Sequence, residues 1–106
     1  MFYEIRRYRT WPGMRDEWVE YMEGTVIPYM TGHGMAVVAS LIDAEDPDGY
    51  LTMRRFASEA QHERVYAAVY ETDRWKNEIY PMVEKLLDLD AVTVTRAAPT
   101  PHSPQP

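Results

Sequence analysis

The chain contains no cysteine. Disulfides, thiolate nucleophiles and cysteine-based zinc or iron–sulfur sites are therefore excluded. Histidine is scarce, with three in the whole sequence, one of them near the C-terminus. None pairs with another at ligand spacing, so no metal site is expected. Basic residues are outnumbered, eleven against seventeen acidic, for a formal net charge of −6. Such a surface repels nucleic acid and anionic lipid, and no nucleic-acid or membrane partner is expected. No apolar run approaches the ~20 residues of a membrane-spanning helix. The start of the chain is interrupted by Glu4 and by Arg6, Arg7 and Arg9, which does not suit a signal peptide. A cytoplasmic protein is the expectation. Phosphate-binding glycine loops, the H-E-x-x-H pair and the G-x-S-x-G elbow are all missing. No cofactor is expected, and no motif dictates a reaction.

What remains is an ordinary globular composition in 106 residues, 45% of them hydrophobic, with eight Tyr against two Phe. That length suits one domain. Tyrosine joins an apolar ring to a polar tip and serves cores, interfaces and wet pockets alike. The segment 1–97 is read as a single domain and 98–106 as a disordered, Pro-rich tail.

Phe2 to Arg9 reads as the organising strand, rich in aromatics and free of Gly and Pro. Alternation puts Phe2, Glu4, Arg6 and Tyr8 on one face and Tyr3, Ile5, Arg7 and Arg9 on the other. Aromatics on both faces predict a central strand with material packed on each side. Trp11-Pro12-Gly13 ends it. A helix is predicted over Met14–Met30, with Trp18, Met22, Val26 and Tyr29 as its apolar stripe. A bend is expected near Pro28, and Gly32 is expected to supply a left-handed cap.

Met35–Ile42 is an almost continuous apolar run and predicts a strand covered on both faces. A polar turn, Asp43–Gly49, leads to a strand over Tyr50–Phe56, which makes a hairpin. The acidic turn lacks the spacing of an EF-hand calcium loop. Ser58 and Gln61 form a capping box for a helix from Glu59 to about Tyr70, with Val65, Ala68 and Val69 inward. A further helical segment, Arg74–Leu87, is expected in two pieces around Pro81. Leu89–Arg96 is the last strand. The order βαββαβ predicts an α+β, ferredoxin-like domain with a four-stranded antiparallel sheet.

These segments resemble the NIPSNAP family. The resemblance rests on the tyrosine-bearing start, Glu4-Ile5-Arg6, Tyr8 and Pro12-Gly13, followed by an acidic, aromatic helix. It continues with Phe56 closing the third strand, Arg64, and the Asp73-x-Trp75 pair. Inside the third strand the family often has an aromatic, where this chain has Met53 and Arg54. The resemblance implies a dimeric α+β barrel, whose wider group includes cofactor-independent monooxygenases and cyclases. It also implies a homodimer with a small-molecule cleft between sheet and helices. The alternative it leaves open is a non-catalytic binding or scaffold protein.

Candidate site residues follow. His33, between two glycines at a helix-to-strand corner, suits a general acid or base. Arg54 is the candidate anion holder and second catalytic residue. Glu4, Arg6, Tyr8, Tyr50, Tyr66 and Trp75 are the candidate substrate contacts. The favoured reading of Glu4, Arg6 and Arg54 is an ion-pair network in a sheet–sheet dimer interface, and the alternative is a carboxylate or enolate clamp. His62 reads as a surface or interface residue.

Overall fold

A computed structural model describes residues 1–104 of the chain. The last two residues of the expected tail, Gln105 and Pro106, lie outside the described residues. β1 (Phe2–Arg9), β2 (Ala36–Ile42), β3 (Gly49–Phe56) and β4 (Thr93–Ala97) form one antiparallel sheet in the order β2-β3-β1-β4. α1 (Arg15–Tyr21), α2 (Ile27–Gly32), α3 (Glu59–Tyr70) and α4 (Tyr80–Leu86) cover one face of it. The architecture is the α+β, ferredoxin-like fold that the element order predicts. Among the described residues no helix is long and apolar enough to cross a membrane.

Two of the helical stretches carry a widened turn. A π-helical segment, Met22–Val26, joins α1 to α2, and a second, Trp75–Ile79, leads into α4. The amide of Ile27 donates to the carbonyl of Met22, and that of Tyr80 to Trp75, five residues back in each case. Pro28 and Pro81 follow immediately. Proline has no N–H and its ring crowds the carbonyl four residues earlier, so a wider turn just ahead relieves both conflicts. The segment containing Pro81 is therefore one continuous helical run over 73–86, not two pieces. The bend expected near Pro28 is realised as the first of these turns.

Other expectations need correcting. Gly32 closes α2 with its backbone still helical, and the left-handed residue is Gly34, at φ +95°. Ala68 is exposed, while Val65 and Val69 face the core. β4 begins at Thr93, because Leu89–Ala91 forms a short 3-10 turn capped by the Asp88 carboxylate. β2 is not covered on both faces. It is an edge strand, and Val38, Leu41 and Ile42 remain 42–56% exposed. Its register slips between Val37 and Ala39.

The core lies between the sheet and the helices. Trp18, Tyr29, Met35, Phe56, Val69 and Ile79 are among its buried residues. Ser58 caps α3 by accepting the Gln61 amide, as its sequence predicts. The acidic hairpin turn is occupied with its own backbone. Asp43 Oδ1 accepts the amides of Glu45 and Asp46, and Arg15 from α1 donates to the carbonyls of Asp43 and Asp46. Among the described residues the opposite sheet face carries no helix. There Tyr3, Ile5, Val38, Ala39 and Met53 line a shallow hollow of about 490 Å³, rimmed by Pro99 and Ser103 from the C-terminal segment.

Candidate functional site

The register of β1 against β3 places Glu4 opposite Arg54 and Arg6 opposite Thr52. Alternation then aims Glu4, Arg6 and Arg54 at the helices. Glu4 and Arg54 are 4% and 2% exposed. Charges this deep are tolerated only when paired and hydrogen-bonded, and α3 supplies the partners. The Tyr66 hydroxyl donates to Glu4 Oε1 at 2.5 Å, and His62 Nε2 lies 2.9 Å from Glu4 Oε2. An ionised carboxylate only accepts, so His62 carries its proton on Nε2. Arg6 Nη1 is 3.9 Å from Glu4 Oε1.

Tyr66 is the hub. Its oxygen accepts from Arg54 Nη1 at 3.2 Å and, more weakly, from Arg6 Nη1 at 3.4 Å. Arg6 Nε donates to the Tyr8 hydroxyl at 2.7 Å. The Arg54 guanidinium also lies 5.9 and 5.8 Å from the ring centres of Tyr66 and Tyr70, within cation–π range. Its Nη2 approaches the Met30 sulfur at 3.7 Å.

The protonation states follow from these contacts. Burial pushes the Glu4 carboxyl up, but the hydrogen bonds from Tyr66 and His62 and the charges of Arg54 and Arg6 outweigh it. Its pKa falls below the ordinary 4.5. Burial holds the Tyr66 phenol well above its usual 10, and its bond to Glu4 adds to this, against the pull of Arg54. Tyr70 is likewise raised by burial, against Arg54. Tyr66 and Tyr70 are therefore neutral, and the cluster sets the two guanidiniums of Arg6 and Arg54 against the one carboxylate of Glu4.

Beside this cluster a cavity of about 220 Å³ opens between the sheet and the helices. Arg6, Tyr8, Arg54 and Tyr70 line its polar part. Elsewhere the wall is apolar, built largely by Trp18, Met22, Val26, Met30, Trp75 and Val83. Both widened turns contribute, through Met22, Val26 and Trp75. Trp18 is 2% exposed, and its indole N–H has no hydrogen-bond partner among the described residues. Among those residues no group of three or more His, Cys, Asp or Glu is arranged to hold a metal ion.

Five of the sequence-chosen residues, Glu4, Arg6, Tyr8, Arg54 and Tyr66, meet in one cluster, and Trp75 lines the adjoining cavity. Two do not join them. Tyr50 is a core residue, 1% exposed, with its ring edge-on to Trp18 and its hydroxyl 2.5 Å from Ser40 Oγ. His33 is exposed and does not line the cavity. Its ring lies against Tyr29, and its Nδ1 is 2.7 Å from the carbonyl of that residue, one turn back in its own helix. The favoured reading of Glu4, Arg6 and Arg54 as a sheet–sheet interface network is also corrected, because they sit on the helix-covered face. Sequence reasoning missed His62 and Tyr70. The signal was present: His62, Tyr66 and Tyr70 are spaced four apart and form one stripe of α3.

The model of the NIPSNAP family matches residues 3–104. The chain belongs to the NIPSNAP family. No curated protein sequence matches it. Among solved structures, it is similar to a NIPSNAP family protein of unknown function from Agrobacterium tumefaciens. The two are 23% identical over 98% of this chain and 92% of that one, with a TM-score of 0.86. A NIPSNAP domain protein from Burkholderia xenovorans is 12% identical over 98% of this chain and 99% of that one, at a TM-score of 0.87. A more distant neighbour is an antibiotic biosynthesis monooxygenase. It is 16% identical over 95% of this chain and all of that one, with a TM-score of 0.67. At these identities the likeness concerns the fold.

Proposed function

We propose that this NIPSNAP protein binds a small organic acid or enolisable carbonyl compound in the cavity between sheet and helices, and that it works as a homodimer. The observation that carries the reading is the charge imbalance beside the cavity. Arg6 and Arg54 line it, while the carboxylate that partly offsets them, Glu4, is engaged by Tyr66 and His62. Such a lining asks its occupant for acceptor oxygens and one negative charge. The same donors stabilise an enolate or phenolate, which is how a protein can favour carbanion-like chemistry without a cofactor. Similarity in fold to a monooxygenase agrees with that use.

The test is spectroscopic. 4-Nitrophenol changes colour on ionisation, so its protonation state can be read while bound. A net-cationic cavity lowers its apparent pKa by about one to three pH units. Arg6→Gln, a substitution at the less buried guanidinium, is expected to reverse most of that change. A bound phenol whose pKa is unchanged or raised would refute the anion reading.

The homodimer is supported by the helix-free face. Its hollow is lined by apolar residues, and Leu41 adjoins it on β2, 49% exposed. Exposed patches of this kind mark association surfaces. Sedimentation showing only monomer at micromolar concentration would count against it.

A further inference from the structure

We infer that the occupant of this cavity is a flat aromatic monoanion of one or two fused rings, with its charge at one end. The inference rests on the anion reading above and deepens it by adding size and shape. Size comes from the volume. About 220 Å³ is available. An engineered apolar cavity of about 150 Å³ accepts benzene. At the packing density of protein interiors, the present cavity takes a molecule of roughly 165 Å³ van der Waals volume. A benzene or naphthalene carboxylate fits within that, and three fused rings exceed it.

Shape comes from the walls. Tyr8, Trp18, Tyr70 and Trp75 all present aromatic rings to the cavity. Tyr8 lies 6.0 Å from Trp18, and Tyr70 lies 4.7 Å from Trp75 in an edge-on pair. Each pair braces its members, so the walls are stiff as well as flat. A rigid ring slots between such walls at little entropic cost, whereas a flexible chain of similar volume must freeze its rotors. The number of charges comes from the cluster. Two guanidiniums against one engaged carboxylate leave one positive charge to be matched, and a dianion would bring a second charge into a largely apolar space.

Trp18 and Trp75 both line the cavity, so intrinsic fluorescence reports occupancy. The experiment titrates the intact protein with benzoate, 2-naphthoate, anthracene-2-carboxylate and octanoate, with neutral 2-naphthamide as control. The expected result is 2-naphthoate binding about tenfold tighter than octanoate and about tenfold tighter than the three-ring acid. Val92→Trp, a substitution at another residue lining the cavity, is expected to retain benzoate and lose 2-naphthoate. Equal or tighter binding of octanoate or of the three-ring acid would overturn the size-and-shape inference while leaving the anion reading standing. Binding of 2-naphthamide as tight as 2-naphthoate would overturn the anion reading itself. Absence of binding by every member of the series would overturn both.

Discussion

Replacing Tyr66 by phenylalanine tests the cluster most directly. The change keeps the ring and removes one oxygen. That oxygen donates to Glu4 at 2.5 Å and accepts from Arg54 at 3.2 Å. The third contact, to Arg6 at 3.4 Å, is long and contributes little. A hydrogen bond to a charged group is worth about 1.5–3 kcal/mol, and a buried charge left without its partner costs at the upper end. Some relief comes from His62, which keeps its bond to the other carboxylate oxygen. The net expectation is about 3 kcal/mol of lost stability, or a fall in Tm of about 15 °C for a domain of this size. Thermal unfolding followed by circular dichroism at neutral pH measures it.

The acid side of the profile carries independent information. Glu4 has a lowered pKa in the folded state, so it contributes stability that is present above 4.5 and lost as pH falls below that value. Without Tyr66 the effect of burial is less well opposed, and the folded-state pKa rises. The stability gap between wild type and variant should therefore narrow as pH drops through this window. A double-mutant cycle with Glu4→Gln completes the test. A fall in Tm below about 3 °C, together with additivity within about 0.5 kcal/mol in the cycle, would refute the assignment of Tyr66 as the hub.

Three further outcomes are expected. Ser58→Ala removes the side-chain acceptor of the Gln61 amide at the start of α3 and should cost about 1 kcal/mol in denaturant unfolding, close to 5 °C in Tm. In Gly49→Ala the new Cβ would meet the Asp43 Cβ at 2.7 Å, and Asp43 is fixed by the two amides it accepts. The expected destabilisation is about 1–3 kcal/mol, read from the same unfolding curves. On alkaline titration, burial holds the Tyr50 phenol up to about 12, with its bond to Ser40 pulling the other way. The folded state then binds more protons than the unfolded one between 10 and 12, so stability falls as pH rises through that interval. Phenolate absorbance in Tyr50→Phe compared with wild type isolates the contribution of Tyr50 from those of the other raised tyrosines.

The strand pairing was legible because alternation and turn chemistry act locally. Glu4, Arg6 and Arg54 were expected to belong to one network, and the register sets Glu4 opposite Arg54. The face on which they meet was misread. Charged residues on a strand suggest an outward or interfacial side, and only the stripe of α3 shows that partners wait above them. His62 was hidden for the same reason. A histidine on a helical flank looks solvated until the sheet register brings a carboxylate beneath it. His33 was chosen for its glycine neighbours, but the carbonyl one turn back in its own helix holds the imidazole at the surface. The widened turns escaped notice because proline reads as an interruption. A chain can instead absorb proline by relaxing the turn before it, and that choice depends on packing at the far side of the helix.

Those two relaxed turns make the cavity wall sensitive to chain length. Each holds one residue more than a regular turn needs, and each supplies side chains to the ligand-facing surface. Deleting a single residue from either would wind everything downstream by roughly 100°. Tyr80 and Val83, for example, would be carried off the cavity and a solvent-facing stripe brought in. Relatives that differ by one residue in these turns should therefore differ in what they bind, even where Glu4, Arg54 and Tyr66 have identical counterparts.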